Sequence, residues 1–174
     1  MLARAAKAAG VDLLIWSGLE SISKVSGGKY TLADHFESKA AITEYARQSG
    51  VPLAVVQAGS YASNFTGLSA PRKQADGSFV VAVPCGSSTV LPVIDMVQDY
   101  GIFVREAIES PAFGPGSEIL THGELITVGD CMSQLAESAL KSGTFTWRYR
   151  FLANTPFPGG FFFFDSHREE NQLC

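Results

Sequence analysis

Two short, largely apolar runs decide the architecture: residues 11–17 (VDLLIWS) and residues 53–57 (LAVVQ), joined through the helical pattern of residues 34–49 (DHFESKAAITEYARQS). Neither run alternates polar with apolar positions, so each predicts a strand buried on both faces, as in a parallel sheet. Between them Phe36, Ala40, Ile42, Tyr45 and Ala46 recur at helical spacing. Gly50 and Pro52 end that helix. Residues 21–31, polar and containing Gly27-Gly28, read as a loop. Strand, loop, helix, strand is a βαβ unit, with a parallel, right-handed crossover.

Upstream, MLARAAKAAG is basic and free of acids, the composition that opens a mitochondrial presequence. The pattern of a helix feeding a buried strand favours a helix over residues 2–9 capped by Gly10. The apolar run behind it is too short for a membrane span, and Asp12 interrupts it. Downstream, Asp76-Gly77 signals a turn, and residues 79–83 form a third strand candidate. Asp95 with Gln98 resembles a capping box. The helix it would open puts Met96, Val97, Tyr100, Phe103, Val104, Ala107 and Ile108 on one stripe. Residues 117–121 suggest a short strand. Thr127 with Asp130 opens a last helix, whose buried face holds Val128, Met132, Leu135, Ala136, Ala139 and Leu140. The tail from residue 144 mixes aromatic and basic residues and contains four consecutive phenylalanines, Phe161–Phe164. Such a run must be buried or bound, or it invites aggregation.

Of 174 residues, 46% are hydrophobic and 17% charged, which suits a packed core and argues against disorder. The net charge is −4, with no dense Lys/Arg stripe, so nucleic acid finds no electrostatic footprint. Cys85, Cys131 and Cys174 are scattered and odd in number, which suggests neither a disulfide framework nor zinc and fits a reducing compartment. His122 and Glu124 are too few for a metal site. The chain contains neither a P-loop nor a G-x-S-x-G elbow.

Three segments carry a family resemblance: GVDLLIWSGLES (10–21), YTLADHFESK (30–39) and VPLAVVQAGSYASNF (51–65). A strand ending Ser-Gly-Leu-Glu, a helix opening His-Phe-x-x-Lys and a strand running into a Tyr-x-x-Asn-Phe loop together resemble the NmrA-like family, atypical relatives of the short-chain dehydrogenase/reductases. The resemblance covers residues 1–143 and fades in the tail. It implies an α/β fold: the C-terminal part of a Rossmann-type parallel sheet plus a small α+β lobe. Residues 1–66 would be the C-terminal half of the NAD(P)-binding domain, 67–143 the smaller substrate or partner lobe, and 144–174 an atypical aromatic tail. The family's glycine-rich turn lets the backbone approach the cofactor pyrophosphate at a helix N-terminus. Neither G-x-G-x-x-G nor G-x-x-G-x-x-G occurs in this chain.

The resemblance also assigns candidate site residues. Ser17 matches the strand-end serine of short-chain dehydrogenases, at the carboxyl end of a strand where α/β folds bind ligands. His35 and Lys39 share one helix face. Ordinary short-chain dehydrogenases have Tyr and Lys there, and no Tyr-x-x-x-Lys occurs in this sequence. Repulsion between an ammonium and an imidazolium one turn apart makes the pair better suited to holding a cofactor than to reducing a carbonyl. Lys39 would bind the nicotinamide ribose. Gly59, Ser60, Tyr61 and Asn64 would pass the nicotinamide end, while each also suits an ordinary loop.

Three functional readings follow. The first is an NADP-binding, redox-sensing regulator acting through a protein partner, cytoplasmic or nuclear, without a membrane or nucleic-acid contact of its own. The second is an NAD(P)H-dependent oxidoreductase acting on a small organic substrate, with His35 as candidate catalytic residue. The third is a truncated product that binds little or no NADPH, because a sheet fragment exposes an unpaired edge.

Overall fold

A computed structural model describes residues 2–67, 70–76, 79–83, 85–140 and 150–151. In chain order the elements are α1 (Leu2–Ala8), β1 (Leu14–Gly18), α2 (Ile22–Val25), α3 (Asp34–Ser49), β2 (Leu53–Ala58), β3 (Ser60–Tyr61), a 3-10 turn (Ala62–Phe65), β4 (Arg72–Lys73), β5 (Phe79–Val80) and β6 (Ala82–Val83). There follow β7 (Val90–Ile94), α4 (Tyr100–Glu109), β8 (Glu118–Thr121), β9 (Glu124–Thr127), α5 (Val128–Leu140) and β10 (Arg150–Phe151). They group into two units: residues 1–59 with 94–122, and residues 60–93 with 123–174. Strand β8 returns from α4 to pair with β2 and draws residues 94–122 into the first unit.

The first unit is built on a parallel sheet in the order β1-β2-β8. Because strand side chains alternate, β2 feeds two cores. Leu53 and Val55 pack with Ala3, Ala46 and Val51, against α1 and α3. Val56 packs with Ala107 and Ile119, against α4. Residues 53–56 of the run are apolar because both faces are covered, and Gln57 at its end is a buried polar residue. On β1, Leu14 and Trp16 join the first core and Ile15 the second.

Helix α3 forms over the expected residues. Asp34 and Glu37 lie in its first turn, favourable to the helix dipole, and Gly50 closes it at φ 70°. Lys7 Nζ donates to the Ser49 carbonyl at 2.6 Å, satisfying one terminal acceptor from α1. The buried face differs from the expected stripe. Thr43 and Ala46 are buried, while Ile42 and Tyr45 are 46% and 38% exposed. Positions 36, 39/40, 43 and 46 form the i, i+3/i+4, i+7 row that meets the sheet, and 42 and 45 fall outside it. The expected loop at 21–31 contains a helical turn, α2, whose cap Ser21 accepts from the Lys24 N–H.

Helix α4 begins later than the capping box suggests. Asp95 Oδ1 accepts from the N–H groups of Val97 and Gln98 at 2.8 and 3.1 Å, but it closes a separate turn before Tyr100. The buried stripe is therefore Tyr100, Phe103, Val104 and Ala107, and Val97 and Ile108 are left exposed.

In the second unit β3, β7 and β9 form one sheet, with β7 and β9 antiparallel. Leu91, Ile126, Val128 and Met132 pack with Phe65, Val81, Cys85 and Cys131. The Thr127–Asp130 cap of α5 is reciprocal: Thr127 Oγ1 donates to Asp130 Oδ2, and the Asp130 N–H donates to Thr127 Oγ1. Burial, reinforced by Glu124, pushes the Cys131 thiol up. The strand candidate at 79–83 becomes two short strands, β5 pairing β4 and β6 pairing β10, away from the parallel sheet. The Phe161–Phe164 run lies outside the described residues.

At Gly18 a side chain would meet both the sheet and α3. A Cβ there would lie 2.5 Å from Val55 Cγ1 and 3.2 Å from Thr43 Oγ1, both on buried side chains. We expect Gly18→Ala to destabilise the fold by about 1–3 kcal/mol through overpacking. The measurement is the midpoint of urea unfolding, and an unchanged midpoint would contradict this account of the contact.

Candidate functional site

The carboxyl end of β1 is approached from both faces. Leu14 N–H donates to the Pro52 carbonyl at 2.7 Å, so residues 14, 16 and 18 direct their backbone groups at β2. Residues 15 and 17 direct theirs at the other edge of β1, where no strand pairs among the described residues. Lys39, in the second turn of α3, donates from Nζ to the Ser17 carbonyl at 3.0 Å. The same ammonium lies 5.9 Å from the Trp16 ring centroid, within cation–π range. Trp16 is itself held: its Nε1–H donates to Thr43 Oγ1 at 3.0 Å, and Thr43 donates to the Lys39 carbonyl.

The Ser17 side chain points to the opposite face. There Tyr100, the first residue of α4, donates from its phenol to Ser17 Oγ at 2.8 Å, with the Val56 carbonyl at 3.1 Å. Tyr100 and Ser17 are 83 positions apart in sequence. The sequence placed Tyr100 only on an apolar stripe. The available signal was its polar tip at the start of a helix, a tip that seeks a partner when partly buried.

The structure thus brings Ser17 and Lys39 together and adds Tyr100. His35 lies one turn before Lys39, exposed, with its ring 4.5 Å from that of Phe36. Gly59 N–H donates to the Thr121 carbonyl at 3.0 Å, so its backbone donor closes the sheet. Ser60, Tyr61 and Asn64 fall in the second unit. The Ser60 hydroxyl is buried with no hydrogen-bond partner among the described residues. Tyr61 is 39% exposed, and the Asn64 carbonyl accepts from Gly67 N–H within the 3-10 turn.

Glu37, between His35 and Lys39 on α3, anchors the segment that follows β1. Its carboxylate accepts from Ser21 Oγ at 2.8 Å, Ser23 N–H at 2.8 Å and Ser23 Oγ at 2.9 Å. The Ser23 backbone donor, followed by the Ser21 hydroxyl, holds this carboxyl below its ordinary value. A depressed folded-state pKa means the clamp contributes above the unfolded pKa and is lost as pH falls through the folded one. We therefore expect wild-type Tm to fall more steeply than that of Glu37→Gln as pH drops below about 4.3, the unfolded glutamate value. Parallel slopes for the two proteins would show that the clamp is not linked to folding.

A parallel sheet with helices on both faces and polar groups gathered at a strand's carboxyl end is the architecture of a Rossmann-type dinucleotide-binding protein. The profile of the NmrA-like family matches residues 1–146, and the chain belongs to that family. It is similar to the nitrogen metabolite repression protein nmr of Neurospora crassa, 29% identical over 132 residues, covering 72% of this chain and 27% of that protein. It is also similar to crystal structures of NmrA, a negative transcriptional regulator. The NAD complex gives a TM-score of 0.69 at 26% identity, covering 89% of this chain and 50% of that one. The NADP complex gives 0.71 at 24% identity, with the same coverage. The chain therefore spans about half the length of the solved NmrA chains and less of the curated relative. No helix among the described residues is long and apolar enough to cross a membrane.

Proposed function

We propose that this chain provides the nicotinamide side of an NAD(P)-binding regulator of the NmrA type, one that reports cofactor state to a protein partner instead of turning over a substrate. The observation that carries the reading is the joint hold on Ser17, with Lys39 on its carbonyl and Tyr100 on its hydroxyl. The donor set suits a nicotinamide riboside. An ammonium has three N–H donors, and the Ser17 carbonyl takes one, leaving two for ribose hydroxyls. The pyrophosphate finds no such fit, because the sequence has no glycine-rich turn to receive it. When bound, the nicotinamide supplies a reversible hydride store, whose oxidation state a partner can read.

Two features favour a binder over a reductase. His35 stands four residues before Lys39, where ordinary short-chain dehydrogenases have the tyrosine acid. Tyr100 does not substitute for it, because its phenol works on the α4 face of β1 while Lys39 approaches from α3. The oxidoreductase reading keeps one observation in its favour, the Ser17–Tyr100 hydroxyl pair, which is a potential proton route.

Recognition of only one end of the dinucleotide has a measurable consequence. We expect NADP+ and nicotinamide mononucleotide to bind the 174-residue chain with equal, weak affinity, about 1 mM, or about −4 kcal/mol. Micromolar NADPH should then give no saturable thermal stabilisation. NADP+ binding far tighter than the mononucleotide would mean that the pyrophosphate is recognised and would overturn the one-sided reading. Steady NADPH consumption with a panel of quinones and carbonyls would replace the regulator with the reductase.

A further inference from the structure

Among the described residues, β8 is covered on one face only. Ile119 packs with Val56 and Ala107 against α4. Glu118 stands opposite Val55 in the pairing with β2, and Leu120 stands opposite Gln57. Both therefore look to the side that Val55 shares with α3. The core on that side draws on α1, α3, β1 and β2 and holds no residue of β8 among the described ones. Leu120 is accordingly 59% exposed, and exposed and buried positions alternate along the strand. A parallel sheet ordinarily has helices over both of its faces.

Two clefts adjoin this face, and Arg47 lines both. One, of about 270 Å³, sets Val25 and Ala40 beside Glu20, Lys24 and Glu44. The other, of about 210 Å³, has Val51, Leu53 and Val55 in its lining. Arg47 and Glu118 neutralise one another at 2.8 Å, which leaves Glu20 and Glu44 against Lys24 and makes the rim net acidic. We propose that the bare face of β8 is a docking surface for a basic amphipathic helix of a partner protein. The helix would lay apolar residues on Leu120 and Val25 and turn basic ones toward Glu20 and Glu44. A helix is the element that covers such a face, and an apolar stripe with charged flanks is what the exposed leucine and the acidic rim would select. A second copy of the chain is a poorer match, because a self-complementary contact would bring two acidic rims together. The surface includes none of Ser17, Lys39 and Tyr100. It goes beyond the nicotinamide reading by naming the kind of partner that a regulator would address.

The probes are two model helices of about 18 residues, with leucines on one stripe and either lysines or glutamates on the other face. Each is titrated by NMR into the isotope-labelled 174-residue chain without dinucleotide. We expect the lysine peptide to shift amides of β8 and α2 and to bind about fivefold more tightly than the glutamate peptide. Glu44→Lys should close most of that gap. Leu120→Asp should weaken the lysine peptide at least about tenfold, since it removes one buried leucine contact. Both altered side chains are exposed, and thermal unfolding establishes that the ratios are read on folded protein. If Leu120→Asp does not fold, Val25→Asp carries the test with the same expectation. Equal affinity for the two peptides would overturn the proposal. So would shifts confined to other elements, or binding that Leu120→Asp leaves unchanged. A dimer of the chain in sedimentation, lost in Leu120→Asp, would assign the face to a second copy and overturn it as well. Failure of both peptides to bind would remove the docking surface while leaving the nicotinamide reading intact, because neither probe touches the dinucleotide site.

Discussion

The first unit depends on β2 being sealed on both faces while it is paired on both edges. Its register against β1 sets Ser17 opposite Val56 and Trp16 opposite Val55. Residues opposite one another in a sheet share a face. Ser17 therefore looks toward the core that Val56 builds with α4, and Trp16 and Gly18 look toward the core that Val55 builds with α3. A slip of one residue would reverse each of these assignments. It would turn the Ser17 hydroxyl away from Tyr100 and drive a larger side chain into the gap that Gly18 leaves beside Val55 and Thr43. The geometry of the candidate site is thus a consequence of strand pairing and needs no special loop.

What the sequence makes legible follows from how local each determinant is. Helix α3 is readable to its ends because its periodicity, first-turn acids and Gly50 all lie within the segment. The two long parallel strands are readable because burial on both faces leaves a continuous apolar signature. The place of β8 is not readable. A four-residue strand that alternates exposed and buried positions looks the same in a parallel sheet as in a hairpin, and only pairing with β2, some 60 residues away, settles it. The start of α4 fails for a related reason. Asp95 supplies a sound cap, but the turn it caps ends before the helix begins, which shifts the buried stripe. Of the site residues, Ser17 and Lys39 could be named from the resemblance, and their contact was within reach because β1 and α3 are neighbours in sequence. Tyr100 could not, since its partner lies on another element and its spacing marked it only as part of an apolar stripe.

The polar groups around β1 form an ordered set of donors and acceptors. Thr43 accepts from Trp16 and donates to the Lys39 carbonyl, so one hydroxyl ties a strand side chain to the helix that carries the lysine. Glu37 collects donors from Ser21 and Ser23 on the segment leaving β1. The strand end, the turn after it and the first turns of α3 are therefore linked through side chains whose own polar groups are largely satisfied. Such linkage keeps Lys39 in place without ligand, the condition for binding with little loss of conformational freedom.

The placement of the phenol and the ammonium bears on the choice between the two proposed readings. A carbonyl reductase must deliver a proton to the substrate oxygen and recover it each cycle, so its acid and the ammonium that assists it must act on the same side of the strand. In this chain the phenol and the ammonium hold opposite faces of one residue, the hydroxyl of Ser17 and its carbonyl. Each orients Ser17, and neither is placed to recharge the other. Orientation of one residue from two sides suits the proposed site, which would hold a nicotinamide riboside in either oxidation state. Discrimination between oxidised and reduced rings must then arise from the ring's charge and from the elements that cover it. On the proposed reading a regulatory readout would belong to whatever surface closes over the nicotinamide, with Ser17, Lys39 and Tyr100 as the groups proposed to fix its place.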